Sequence, residues 1–130
     1  MRLIEAACAY MTAEEMGRQV WPYDLALALV KVKRATKADA DFYVQREREL
    51  VERYAVLDER GCVRLTPERT FVFKDPAKRG EYEAARRELG DTEAGDHGRP
   101  FRVRAPAEIK PEHIEALEGF IEFIAEGEKP

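Results

Sequence analysis

The sequence predicts an α+β fold in a single domain over residues 1–130: a long central amphipathic helix, N- and C-terminal helices beside it and a small antiparallel β-sheet. Three observations carry this. From Pro22 to about Leu57 apolar residues recur at steps of three or four; after Gly61 the period drops to two; and from Pro111 the three-four spacing returns.

The first element is a short helix on Leu3, Ile4, Ala7, Cys8 and Met11, with Thr12-Ala13-Glu14-Glu15 resembling a capping box able to restart it. Gly17 and the Trp21-Pro22 pair then force a turn, because the residue before proline is pushed out of the helical region. Pro22 suits a first helical turn, where its missing N–H has no partner to lose, and Asp24 adds a carboxylate near the positive end of the helix dipole. Leu25, Leu29, Val32, Thr36, Ala40, Tyr43, Glu47, Leu50, Tyr54 and Leu57 then fall on one face. At 1.5 Å per residue, such a helix of about 36 residues is roughly 54 Å long. That outruns a compact body of this chain length, so the stripe is expected to borrow cover from a second copy, in a homodimer or higher oligomer. Ala38 to Asp41 is the soft spot, where Asp39 could cap a second helix. The stripe stays in phase across it, without Gly or Pro, which favours one rod.

Cys62–Leu65 and Thr70–Phe73 read as two strands of a β-hairpin around the turn Thr66-Pro67-Glu68-Arg69. Asp75-Pro76 opens a helix that points Tyr82, Ala85 and Leu89 inward and ends at Gly90. Gly90 to Pro100 lacks periodicity and reads as a mobile loop. Phe101-Arg102-Val103-Arg104 is a third strand, with Phe101 and Val103 inward. The last helix starts at Pro111, with Ile114, Leu117, Ile121 and Ile124 on its apolar face and Glu112, Glu115, Glu118, Glu122 and Glu126 opposite.

A 37% share of charged residues suits a long helix facing water. The net charge of −4 argues against wholesale nucleic-acid binding. It hides a gradient, since residues 108–130 carry seven glutamates against two lysines. No run approaches the length of a membrane span. The first ten residues have one arginine and a short apolar patch, as a signal peptide would, but Glu5 interrupts the patch and helical spacing explains it better. A cytoplasmic protein is expected. Cys8 and Cys62 form no CxxC and read as reduced thiols packed as small apolar residues.

Catalytic patterns are missing from the sequence. There is no HExxH, GxSxG, Walker loop or GxGxxG, and the spacing of His97 and His113 relative to the cysteines supports no zinc site. No enzyme activity, cofactor or metal is expected. The positive residues are more suggestive. Arg99, Arg102 and Arg104 flank a strand and a loop, while Lys78, Arg79, Arg86 and Arg87 lie on the preceding helix. Guanidinium groups so placed hold phosphate or carboxylate bidentately. Arg99, Arg102, Arg104 and Arg86, with Trp21 as a stacking ring, are the candidate ligand contacts. A strand kept soluble by arginine, and a tryptophan that packs ahead of a helix, are the plainer accounts. Glu115, Glu118 and Glu122 of the acidic end, and Lys31 and Arg34 of the Lys31–Lys37 cluster, are the candidate partner contacts.

Taken in order, Leu25-Ala26-Leu27-Ala28-Leu29 opening a long helix, Arg48-Glu49-Leu50-Val51-Glu52-Arg53-Tyr54 closing it, Asp58-Glu59-Arg60-Gly61 leading into a hairpin, and Ile109-Lys110-Pro111-Glu112-His113-Ile114-Glu115-Ala116-Leu117 with Phe120-Ile121 resemble a family of small phage and prophage proteins of unknown function. The resemblance spans most of the chain. It implies a virus-encoded accessory protein in the host cytoplasm with no assigned reaction, and it carries no catalytic residues to transfer. The Gly90 to Pro100 loop departs from it in length and glycine content. The expectation is a non-catalytic binding protein that inhibits or redirects a host macromolecule, such as one of a defence system. The alternatives are an oligomeric sponge for a small anionic ligand such as a nucleotide, and a virion-assembly or tail-associated part.

Overall fold

A computed structural model describes residues 1–95 and 97–124; Glu126 lies outside them. Four helices and two short strands form along the described chain: α1 (Leu3–Met16), α2 (Tyr23–Tyr54), α3 (Arg79–Asp91), β1 (Phe101–Arg104), α4 (Pro111–Leu117) and β2 (Ile121–Ile124).

The inner face of α1 is Leu3, Ala6, Ala7, Ala9, Ala13 and Met16, all buried. Small side chains let it approach α2 closely. Leu3 and Ala7 meet Tyr43, and Met16 shares a core with Leu25, so the two helices run antiparallel. At the turn between them, Trp21 Nε1–H donates to the Met16 carbonyl at 2.7 Å and satisfies one of the open acceptors at the end of α1. Backbone continuity through Thr12–Glu15 makes α1 one helix without a restart.

The long helix is unbroken over 32 residues, and its buried face follows the expected phase: Leu25, Leu29, Val32, Thr36, Ala40, Tyr43 and Tyr54. Thr36 is fully buried and spends its hydroxyl on the Val32 carbonyl at 2.8 Å. Asp39 caps nothing; its Oδ2 lies 3.0 Å from His97 Nε2. That imidazole also lies against the Phe120 ring, at 5.2 Å between centroids, so the loop after α3 is pinned to the body. The helix ends at Tyr54, three residues short of Leu57. Its stripe is covered within the chain by α1, β1 and α3, and therefore does not require the second copy expected from its length.

Beyond Tyr54 the two arms of the expected hairpin do meet, and a third segment joins them in a three-way junction. Val56 N–H donates to the Val72 carbonyl (2.8 Å), Val72 N–H to Arg64 (3.0 Å) and Arg64 N–H back to Val56 (2.9 Å), closing a ring of three extended segments eight residues apart. Each pair meets antiparallel at a single bridge: Ala55↔Phe73, Leu57↔Val63 and Leu65↔Phe71. The residues read as the last helical turn supply the third partner that a hairpin alone would lack. Gly61 adopts φ +78° in the turn at Asp58, whose carboxylate accepts from the Arg60 and Cys62 amides.

Asp75 Oδ1 accepts from Ala77 N–H at 3.0 Å, and a single 3₁₀ turn leads into α3. Gly90 lies inside α3 rather than after it. A Cβ there would stand 3.4 Å from Ile4 Cβ, so the glycine marks the close crossing of α3 and α1.

The sheet departs most from expectation. β1 pairs with β2 in parallel, Phe101↔Ile121 through Arg104↔Ile124, and not with the 62–73 segments in an antiparallel sheet. The last helix stops at Leu117, and Ile121 and Ile124, expected on its apolar face, belong to a strand. Phe120-Ile121-Glu122-Phe123-Ile124 is a short apolar run broken by one acid, which periodicity does not assign to helix or strand, and Gly119 breaks the helix just ahead of it. Parallel neighbours need a crossover connection, and the segment through α4 supplies it. Val103 is buried and Phe101 half-buried, as the alternation of β1 requires.

Candidate binding groove

On α3, Arg79, Tyr82, Glu83, Arg86, Arg87 and Gly90 recur at three-four spacing and share one face. On α2, Tyr43, Glu47 and Val51 do the same. These two faces and the three-way junction enclose a groove of about 1170 Å³.

Its junction side is aromatic. Phe71 and Phe73 lie 4.5 Å apart between centroids, and Tyr82 meets both edge-on at 5.0 and 5.7 Å, with Tyr54 behind it at 5.7 Å. Leu65 extends this wall while 62% exposed. At the α2–α3 side, Arg86 Nε–H donates to Glu47 Oε2 at 3.1 Å. Burial works against the Arg86 charge, but Glu47, with Tyr82 and Tyr43 nearby, pushes its pKa further up, so it stays cationic. Burial pushes the Tyr43 phenol up, and Glu47 adds to the rise. Burial is also what raises Tyr82. Both remain neutral donors at physiological pH.

Five arginines line the groove: Arg2, Arg69, Arg79, Arg86 and Arg87. Three face carboxylates, Arg2 with Asp91 at 3.0 Å, Arg79 with Glu83 at 3.3 Å and Arg86 with Glu47. Arg69 and Arg87 make no ion pair among the described residues. Arg69 sits at the tip of the Thr66–Thr70 turn with φ +63°, an uncommon backbone for a side chain of this size.

Of the expected ligand contacts only Arg86 lines the groove; Arg99, Arg102, Arg104 and Trp21 do not. Trp21 is a packing residue tied to the end of α1. Arg102 Nε lies 3.8 Å from Glu122 Oε2, its neighbour in register on β2, so an expected ligand contact and an expected partner contact face each other. Lys31 places its ammonium 5.4 Å from the centre of the Phe101 ring. Arg34, Arg99, Glu115 and Glu118 are exposed and away from the groove. Both cysteines are exposed rather than packed in the core. No cluster of three metal-ligating side chains occurs among the described residues, and no described helix is long and apolar enough to cross a membrane.

Comparison of the chain with family models, curated proteins and solved structures finds no match.

Proposed function

We propose that the chain is a non-catalytic binding protein of the phage-type accessory kind, which engages a host macromolecule in the cytoplasm and inhibits or redirects it. What supports this reading is the groove. Guanidiniums without an ion pair beside exposed apolar side chains are common at protein-binding surfaces, where arginine and aromatic residues are enriched. The test is capture from host lysate at low salt on immobilised wild type and on the Arg69→Glu, Arg87→Glu double variant. A host protein retained by the first and lost from the second is the expected result. The same proteins on both would sink the reading.

A second reading, a sponge for a nucleotide, draws on the aromatic wall beside the arginines, since bases stack on such rings. Thermal shift against a nucleotide panel separates the two. A ligand at a hundred times its dissociation constant stabilises by about 2.7 kcal/mol, whereas a protein-binding groove gives no nucleotide shift.

Self-association remains part of the proposal on a changed footing. With the buried stripe of α2 already covered, a second copy would have to use outward residues such as Tyr23, Leu27 and Val30, which are 80%, 38% and 42% exposed. Sedimentation of wild type and Leu27→Glu tests it: a concentration-dependent dimer weakened by the substitution is expected, and a monomer at every concentration would refute it.

A further inference from the structure

Resting on the protein-binding reading, the dimensions and charge of the groove narrow the partner. At about 1170 Å³ it exceeds the roughly 300–1,000 Å³ usual for small-molecule sites. Its length runs from the junction across both helices, which suits an extended or helical segment of polypeptide. The lining is aliphatic as well as aromatic: Val51, Val63 and Leu65 stand beside Phe71 and Phe73. Base stacking has no use for that aliphatic surface. A leucine or phenylalanine anchor does.

The charge points the same way. Each of the three acids lining the groove already faces an arginine across it or along α3, and the positive charge left over belongs to Arg69 and Arg87. A guanidinium fork matches a carboxylate or a phosphate in two parallel hydrogen bonds, so the choice of a carboxylate rests on the rest of the lining. Glycine supplies no phosphate cradle here: Gly61 and Gly98, the glycines with positive φ, are not in the lining, and Gly90 is inside a helix against Ile4.

We propose that the groove is a docking site for an acidic peptide segment of a partner protein, in which an aliphatic or aromatic anchor enters between Phe71 and Val51 and flanking carboxylates take Arg69 and Arg87. Dodecapeptide display on the immobilised full chain tests it. Selected sequences should combine an excess of Asp and Glu with a large apolar residue. Synthetic versions should bind at least about ten-fold more weakly to the Arg69→Glu, Arg87→Glu double variant. Both substitutions are at exposed positions, and an unchanged melting temperature shows that the variant is folded.

Selected peptides without an acidic excess, acidic peptides indifferent to the double variant, or displacement of the peptide by nucleotides would each overturn the inference. So would a selection with no enrichment. If any of these occurs while a host protein is still captured through Arg69 and Arg87, the acidic-segment inference fails and the binding reading stands. If capture also fails, both fall.

Discussion

Arg86 on α3 and Glu47 on α2 meet at 3.1 Å across 39 residues of sequence, and their contact ties the two helix faces that form one side of the groove. Glu47 is about two-thirds covered and Arg86 about half. Isolated surface pairs contribute about 0–1 kcal/mol. A double-mutant cycle of Glu47→Gln and Arg86→Gln by urea denaturation should return a coupling of about 0.5–1 kcal/mol, near the upper part of that range. Partner capture should depend less on Arg86, which is already paired, than on Arg69 and Arg87. Equal losses from all three would contradict the division of labour drawn above.

The seam between α1 and α2 is built on alanine, and Ala9 has no exposed surface. A leucine there has nowhere to go. Overpacking a tight core costs about 1–3 kcal/mol, so Ala9→Leu should lower the denaturation midpoint accordingly. Cys8→Leu, one position away on the outside of the same helix, should change little.

Gly90 faces Ile4 with just enough room for a methyl group, at 3.4 Å from its Cβ. Glycine inside a helix costs about 1 kcal/mol relative to alanine. Gly90→Ala is therefore expected to be neutral or stabilising by up to that amount, while Gly90→Val, whose extra methyls meet Ile4, should destabilise. Chemical denaturation of the two variants reads the difference in sign.

Alkaline pH bears on the groove through Tyr43 and Tyr82. Burial raises both phenols above their ordinary value. The folded state then holds these protons more tightly than the unfolded chain does, so stability is full below about pH 10 and is lost as pH rises through the folded values. The Tyr43→Phe, Tyr82→Phe pair should flatten that alkaline slope. An unchanged slope would place the alkaline sensitivity elsewhere.

Acid acts at the opposite end. Arg2 N–H donates to the Glu5 carboxylate at 3.0 Å, and this bond, helped by the Arg2 side chain, holds the Glu5 carboxyl below its usual range. Its contribution is present above the ordinary glutamate value near 4.3 and fades as pH falls through the lower folded one. Glu5→Gln should shallow the acid limb of a pH–stability curve. A limb as steep as that of wild type would rule the pair out as its source.

What could be read from the residues alone was whatever depends on near neighbours in the chain. The phase of α2 from Leu25 to Tyr54, the turn at Trp21-Pro22, the Asp75 cap and the inward Val103 follow from hydrogen bonds and side-chain directions spanning a few residues. So does the unbroken rod, because no residue from Ala38 to Asp41 blocks the i to i−4 bond. The groove was half visible: the three-four spacing of Arg79, Tyr82, Arg86 and Gly90 marks one face of a helix, but nothing in that spacing says what stands opposite.

Tertiary structure decided the partners. Phe101 to Arg104 could pair with any extended segment, and the crossover through α4 brings Ile121 alongside in parallel. Leu57 left the helix because the junction offered the flanking Val56 and Asp58 backbone groups other bonds. Strand pairing and clefts depend on chain segments far apart in sequence, and their choice rests on which arrangement buries the most apolar surface while leaving the fewest polar groups unmatched. That choice belongs to the whole chain at once.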